Sequence, residues 1–434
     1  MKFALIGMNI PMLLPTLLAD VLFAGREPAD IAVFEKNGAM ADVMQKYMYA
    51  VYDKAGIGGM PIVSGDWSEV LDEADCVVFD DDCMPGSRFR MDQEALSGTE
   101  GDESGLSDQA RVNGGLGGLM HTLRCGEKAL TLCEQMREIC PEALVISLAQ
   151  PVGRICRVFE NTGFRCYGLA PTPLRGVNGL EGICHALHRK TDSVSEVIAG
   201  LPNFEFLLQL TDEATGADVL PAVELLAEEN TLGRLTRRWL DWYGAIAIGS
   251  VTAHAELLAA QPDFIPEQNP PFGETVEQRK ERILHMNTVG THGASDREGM
   301  MSQITLLSKA PALRPMQLAL ALLRETDLTM EAVTRRNNGA LPQLPKDAMI
   351  EAKLVLKAGQ DASRPVALPP ALAEVLCELA QTDADAAQAA TGDRGAVRAV
   401  IEDDPALGGL DRLYLQEVAE RLIEMHGEVL PRFS

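Results

Sequence analysis

The stretch VISLAQPVGRICRVFENTGFRCYGLAPTP, Val145 to Pro173, constrains this chain more than any other. An apolar run, Val145 to Leu148, stops at Gln150-Pro151; a helical segment follows, and a second short run, Arg165 to Leu169, stops at another proline-containing turn. Two strands joined through one helix read as a parallel crossover. In an open parallel sheet the ligand crevice lies beyond the carboxyl ends of the strands. Gln150 and the residues after Leu169 are therefore where chemistry is expected.

The first residues have a related layout. Lys2 to Ile6 reads as a strand, Gly7 opens a turn, Pro11 to Phe23 reads as a helix, and Asp30 to Phe34 as a strand that ends at Glu35. This β-α-β unit carries an acidic residue where a dinucleotide ribose is held. Gly7, Asn9 and Glu35 are the cofactor-binding candidates. Gly7 is followed by Met8, Asn9 and Ile10, where close approach of a pyrophosphate ordinarily requires glycine. The residues alone thus leave a bound dinucleotide and a plain α/β core both open. Pro11, Pro15 and Asp20 interrupt the apolar start, which is read as strand and helix rather than as a secretion signal. No apolar run long enough to span a membrane is apparent.

Composition enters as exclusion. With 434 residues, 46% hydrophobic and 23% charged, the chain can bury two or three domain-sized cores. A net charge of -25 and the lack of a basic stripe argue against nucleic acid or an anionic membrane as partner. The nine cysteines include no CxxC pair, and Cys133 and Cys140 share a predicted helix face with Met136. Buried free thiols in a reducing cytoplasm are expected, rather than disulfides or zinc.

Further strands are expected at Pro61 to Ser64, Cys76 to Phe79, Phe204 to Leu210, Gln343 to Leu344 and Ala348 to Leu354. Helices are expected at Ala39 to Val51, Trp67 to Glu73, Leu119 to Ile139, Ala222 to Glu228, Leu232 to Trp242 and around Ala253 to Ala259, with three more from Pro369 to His426. Between Asp80 and Gly115 a polar connection reads as a surface flap or an acidic insert, and the proline-rich Gln261 to Phe272 as an exposed lobe. His185 and His188 share a helix face but lack a neighbouring acid pair, so a solvated face is expected over a metal site. The fold class is α/β, a doubly wound Rossmann-type domain over residues 1–195 and an α+β domain over 196–434.

Several blocks together resemble the NAD- and manganese-dependent glycosidases of glycoside hydrolase family 4. They are GGLGGLMHTLR (Gly114 to Arg124), ICPEALVISLAQPVG (Ile139 to Gly153), RCYGLAP (Arg165 to Pro171), TGADVLP (Thr215 to Pro221), TAHAEL (Thr252 to Leu257) and NNGALPQLPKDAMIEA (Asn337 to Ala352). The resemblance implies a lactate-dehydrogenase-like second domain, assembly as dimers or tetramers, and a small sugar or glycoside as substrate. It also implies transient oxidation of the sugar's carbon-3 hydroxyl by NAD, proton removal from carbon-2 by a tyrosine, and a divalent metal, held by a cysteine and a histidine, that polarises the sugar oxygens.

Residue by residue, this carry-over is uneven. Gln150 stands where the family has an asparagine, Ala170 where it has the metal-binding cysteine, Asn203 where it has the metal-binding histidine, and Ile246 or Ala247 near the tyrosine base. Arg124, His254, Glu256, Asn337 and Asn338 match. The metal site is therefore expected to be absent, with manganese lost and NAD retained. Gln150, Asn203, Arg124, Asn337 and Asn338 are the substrate-binding candidates, with Arg175 a further candidate for a basic pocket. His254, whose ordinary pKa lies near neutrality, is the candidate proton acceptor, with a structural hydrogen-bonding role as the alternative. The readings are a divergent family-4-like glycosidase, a non-catalytic relative that binds sugar or nucleotide, and an NAD-dependent hydroxyacid or sugar dehydrogenase.

Overall fold

The computed structural model describes residues 1–24, 28–81, 85–97, 106, 109–170, 174, 178–258, 276–292 and 314–434. Arg175, Cys83 and the Gln261 to Phe272 lobe lie outside them. The strands are β1 (Lys2–Ile6), β2 (Asp30–Phe34), β3 (Pro61–Ser64), β4 (Cys76–Phe79), β5 (Leu144–Ser147), β6 (Cys166–Gly168), β7 (Val194–Leu201), β8 (Phe204–Asp212), β9 (Ile246–Ile248), β10 (Leu328–Arg336), β11 (Met349–Lys357) and β12 (Gln360–Asp361). The helices are α1 (Ile10–Leu18), α2 (Gly38–Ala55), α3 (Trp67–Leu71), α4 (Pro85–Ser97), α5 (Gly115–Ile139), α6 (Val152–Asn161), α7 (Leu180–Ala186), α8 (Leu220–Glu228), α9 (Arg234–Tyr243), α10 (Val251–Glu256), α11 (Val276–His292), α12 (Pro315–Leu323), α13 (Pro370–Ala389), α14 (Arg394–Asp403) and α15 (Arg412–Met425).

The strands form one sheet in the order β3-β2-β1-β4-β5-β6-β10-β11-β7-β8-β9, with β12 on β11. Its first six strands run parallel, in the doubly wound order. Successive side chains of these strands feed opposite cores, as the strand period of two requires. Ala4, Val77 and Val145 pack beneath α5 and α6, while Phe3, Val78 and Ile146 pack with α1 and α2. The expected α/β class is thereby shown.

At β6 the sheet turns antiparallel, where Thr334 of β10 pairs with Gly168. The last three helices return to the parallel half, with Ala386, Val400 and Leu422 in the core that α5 and α6 supply. Gly126 on α5 allows this contact, since a Cβ there would lie 2.5 Å from the Ala390 methyl. Asp20 ties the amino-terminal region to α12, accepting from the amides of Met316 (2.7 Å) and Gln317 (3.2 Å) and from Gln317 Nε2 (2.7 Å). A carboxylate at the start of a helix meets the positive end of its dipole.

Three expectations require correction. Part of the polar connection, Pro85–Ser97, is the helix α4. Gln343 and Leu344 lie outside any strand, because the loop there is folded around Asn337. His188 lies beyond the end of α7 at φ +54°, so it does not continue the helical face of His185. No described helix is long and apolar enough to cross a membrane, and none of the described cysteines forms a disulfide.

Candidate functional site

Gln150 closes β5, half-buried, with a cis bond to Pro151. Across the crevice, Pro202 and Asn203 connect β7 to β8, and Asn203 holds φ at +70°, a conformation asparagine tolerates better than most residues. This turn aims the Asn203 amide back at the strand ends. Its Nδ2 donates to Gln150 Oε1 (3.3 Å) and to Asn113 Oδ1 (3.1 Å). Asn113 in turn donates from Nδ2 (2.8 Å) and from its backbone amide (3.0 Å) to Glu256 Oε2, which also accepts from the Val112 amide at 3.2 Å.

Four side chains separated widely in sequence thus form one polar chain, Gln150–Asn203–Asn113–Glu256. Asn203 is 6% and Glu256 8% exposed, so the chain lies at the bottom of the crevice. Burial raises the Glu256 carboxyl above its ordinary value, against the lowering effect of the three donors and of Arg111. Arg111 fixes the end of α10 by donating to the carbonyls of Glu256 (2.7 Å) and Leu258 (3.2 Å). Amides of both polarities and a carboxyl group suit the hydroxyls of a sugar, which donate and accept at once.

Other sequence candidates lie elsewhere. His254 does not face the crevice: it is 1% exposed, its Nε2 lies 3.2 Å from the Ile248 carbonyl, and its ring packs on Phe204 and Phe206. Burial pulls its pKa down to about 4, opposed by the Ile248 carbonyl. The expected proton acceptor is therefore a neutral core ring, placed there because the buried strand β9 runs directly before α10. Arg124, 2% exposed, is paired with Asp92 inside the molecule. Asn337 is 1% exposed and holds its own loop, donating to the carbonyls of Leu341, Leu344 and Pro345. Asn338 is exposed at φ +47°. Ala170 is 5% exposed, and Ile246 and Ala247 belong to the buried β9.

On the same carboxyl edge of the parallel sheet, two strands from β5, Gly7 takes φ +131° and a Cβ there would lie 2.1 Å from the Asp80 carbonyl oxygen. The amide of Asn9 donates to that same oxygen (3.2 Å), Asn9 Nδ2 donates to Asp80 Oδ1 (3.2 Å), and the Ile10 amide donates to Gly7 O (3.1 Å). Glu35 stands half-buried at the end of β2, its Oε1 accepting from the Asn37 amide at 2.8 Å.

Sequence reasoning missed Asn113 and gave Glu256 no role. The signal was the run NGGLGG, whose glycines serve close packing: a Cβ on Gly114 would meet Glu256 O at 2.4 Å, and one on Gly117 would meet Arg111 O at 2.3 Å.

A doubly wound sheet continued by an antiparallel half is a dehydrogenase-like fold, here with a chain of buried polar side chains beside the carboxyl end of β5. Residues 25–169 match the family described as Family 4 glycosyl hydrolase, and the resemblance found in the sequence is borne out. An alpha-glucosidase of Erwinia rhapontici is 30% identical over 132 residues, 29% of this chain and 27% of that protein, so the matched part spans little more than a quarter of that relative. Among solved structures, a 6-phospho-alpha-glucosidase from gut microorganisms in complex with NAD and Mn2+ is similar at a TM-score of 0.76 and 15% identity, over 100% of this chain and 99% of that one. A 6-phospho-beta glucosidase from Thermotoga maritima, with NAD and glucose-6-phosphate, gives 0.75 and 16%, over 99% of each chain.

Proposed function

We propose that this protein is a glycosidase of the family-4 type that acts on a small glycoside by NAD-dependent transient oxidation of the sugar, without a manganese ion held by cysteine and histidine. The observation that carries this reading is the amide and carboxyl chain Gln150–Asn203–Asn113–Glu256, built beside the carboxyl end of β5. Gln150 and Asn203 would bind sugar hydroxyls, and Glu256 would move the proton at the sugar.

The donor set does not fit manganese. Ala170 offers no ligand, and Asn203 turns its amide N–H, which cannot ligate, toward Gln150 and Asn113. Among the described residues no three His, Cys, Asp or Glu side chains lie together in a ligating arrangement.

The residues do fit a dinucleotide. Glu35 would accept from a ribose hydroxyl, and Gly7, having no side chain, lets the turn before α1 pack against the Asp80 backbone. Bound NAD would supply the hydride acceptor. The pyrophosphate would be held weakly, because the Asn9 and Ile10 amides already serve Asp80 and Gly7 and Pro11 has none to give. Asn9→Gly, which keeps the backbone amide but removes the side chain tied to Asp80 Oδ1, is expected to tighten NAD binding about tenfold in calorimetry by letting a pyrophosphate approach the backbone more closely; an unchanged Kd would remove the Asn9 side chain as the cause.

The deciding assay measures nitrophenol release from α- and β-glucosides and their 6-phosphates, with and without NAD, manganese and chelator. Release that needs NAD and survives the chelator is expected. Binding without release in every arm would favour the second reading, a sugar-binding relative, for which the aliphatic Ile246 and Ala247 near the expected base speak.

A further inference from the structure

Beneath the crevice runs a row of directly opposed residues across six strands: Gly168 (β6), Thr334 (β10), Glu351 (β11), Gly200 (β7), Glu205 (β8) and Ile248 (β9). Opposed residues share a sheet face, so Glu351 and Glu205 stand two strands apart on one face with a glycine between them. Neighbouring strands lie about 4.8 Å apart, and two glutamate side chains can bridge the double spacing only where the middle position has no side chain. Gly200 has no room for one, since a Cβ would lie 2.3 Å from the Phe204 carbonyl oxygen.

Both carboxyls are 0% exposed. Glu205 Oε1 accepts from the Asn203 amide at 2.7 Å, and Glu351 Oε2 accepts from Thr334 Oγ1 at 2.8 Å. The other two oxygens, Glu205 Oε2 and Glu351 Oε1, find no hydrogen-bond partner among the described groups, and the two side chains stand on one face of the sheet on either side of Gly200. Two buried carboxylates cannot satisfy one another unless a proton lies between them. Charged groups on the surrounding elements are otherwise engaged: Arg154 and Arg157 of α6 pair with Asp383 of α13 and with Asp347, Glu196 of β7 with Lys353 of β11, and Arg335 of β10 with Asp361. The Cys156 sulfur of α6 lies beside Gly168.

We propose that Glu205 is a positioning residue of the crevice, holding the Asn203 turn through its backbone amide, and that Glu351 fixes Glu205 through a hydrogen bond carried on a carboxyl proton. The interaction holds whatever the crevice turns over. Without the proton, two like charges would face each other across Gly200, and Glu205 could keep its grip on Asn203 only at the cost of that repulsion. Burial, together with the neighbouring carboxylate, lifts Glu205 well above the ordinary carboxylate range, and burial lifts Glu351 to about 7. Acids whose folded pKa exceeds the unfolded value stabilise the fold at low pH and lose that contribution as pH rises toward the folded value.

Two measurements test this without any substrate. Hydrogen exchange by mass spectrometry at pH 7 follows the Asn203 amide. Glu205→Ala is expected to speed its exchange at least tenfold, and Glu205→Gln, which can still accept from that amide and donate to Glu351, to restore it. Thermal denaturation between pH 5 and pH 8 follows the proton. Wild type should lose the most Tm over that range, Glu205→Gln and Glu351→Gln less, and the double Gln variant least. Unchanged exchange in a folded Glu205→Ala protein overturns the positioning role; equal Tm losses in all four proteins overturn the carboxyl proton. If the alanine variant does not fold, exchange and pH slopes of the Gln variants still decide.

Discussion

Replacing Arg124 with alanine is expected to destabilise the protein by about 3–5 kcal/mol, read as a shift in urea denaturation at pH 7. Its guanidinium lies 3.0 Å from Asp92 Oδ2 and 3.2 Å from His426 Nε2, and His426 Nε2 lies 2.6 Å from Asp92 Oδ1. All three side chains are at most 2% exposed. Asp92 is the acceptor common to the group, so removing Arg124 leaves a carboxylate deep in the protein beside a single imidazole. The cost is that of an uncompensated buried charge rather than of a lost surface pair. Arg124→Ala combined with Asp92→Leu should recover much of the loss, since the orphaned charge goes with its partner. A single variant within 1 kcal/mol of wild type would show that water or His426 compensates Asp92, and that the helices α4, α5 and α15 do not depend on this cluster.

The same cluster shows what sequence could and could not reveal. Arg124 was legible as a matching residue of a glycosidase block, and its chemistry suggested a substrate-binding role. Its partners sit on α4, read as a polar loop, and at the end of α15, 302 residues away from Arg124. Nothing local marks such a pairing. The parallel strands were legible because each is apolar throughout and bounded by turn residues. The strands β7 and β10 were not: VSEVIAGL and LTMEAVTRR mix polar and apolar residues without strict alternation. Their place is fixed by partners distant in sequence, β10 entering between β6 and β11.

The crevice was half legible for the same reason. Strand ends pointed to Gln150, and the family resemblance pointed to Asn203, but Asn113 and Glu256 meet across 143 residues. His254 drew attention by its ordinary pKa, the property that burial among Phe204 and Phe206 takes away. Chemistry read from residue type alone fails wherever solvation decides the charge.

Glu256→Gln is therefore expected to lower kcat by about 10²–10⁴ with KM changed only a few-fold, the loss typical of a missing acid–base group, in the NAD-dependent release assay. The amide keeps an oxygen for Val112 and Asn113, so the fold should survive, and an unchanged denaturation midpoint would confirm that the loss is chemical. Because burial holds the Glu256 carboxyl above its ordinary value, the ionised form disappears as pH falls through that raised value. Wild-type kcat should thus show an acid limb above the usual carboxylate range, and the Gln variant should flatten it. His254→Gln is the matched control: among the described groups its ring bonds to the Ile248 carbonyl within the core, so its main effect should be on stability, with kcat of the folded fraction retained. If His254→Gln instead abolishes turnover in a folded protein while Glu256→Gln does not, the proton passes through the imidazole, and α10 must move to bring that ring into the crevice during the reaction.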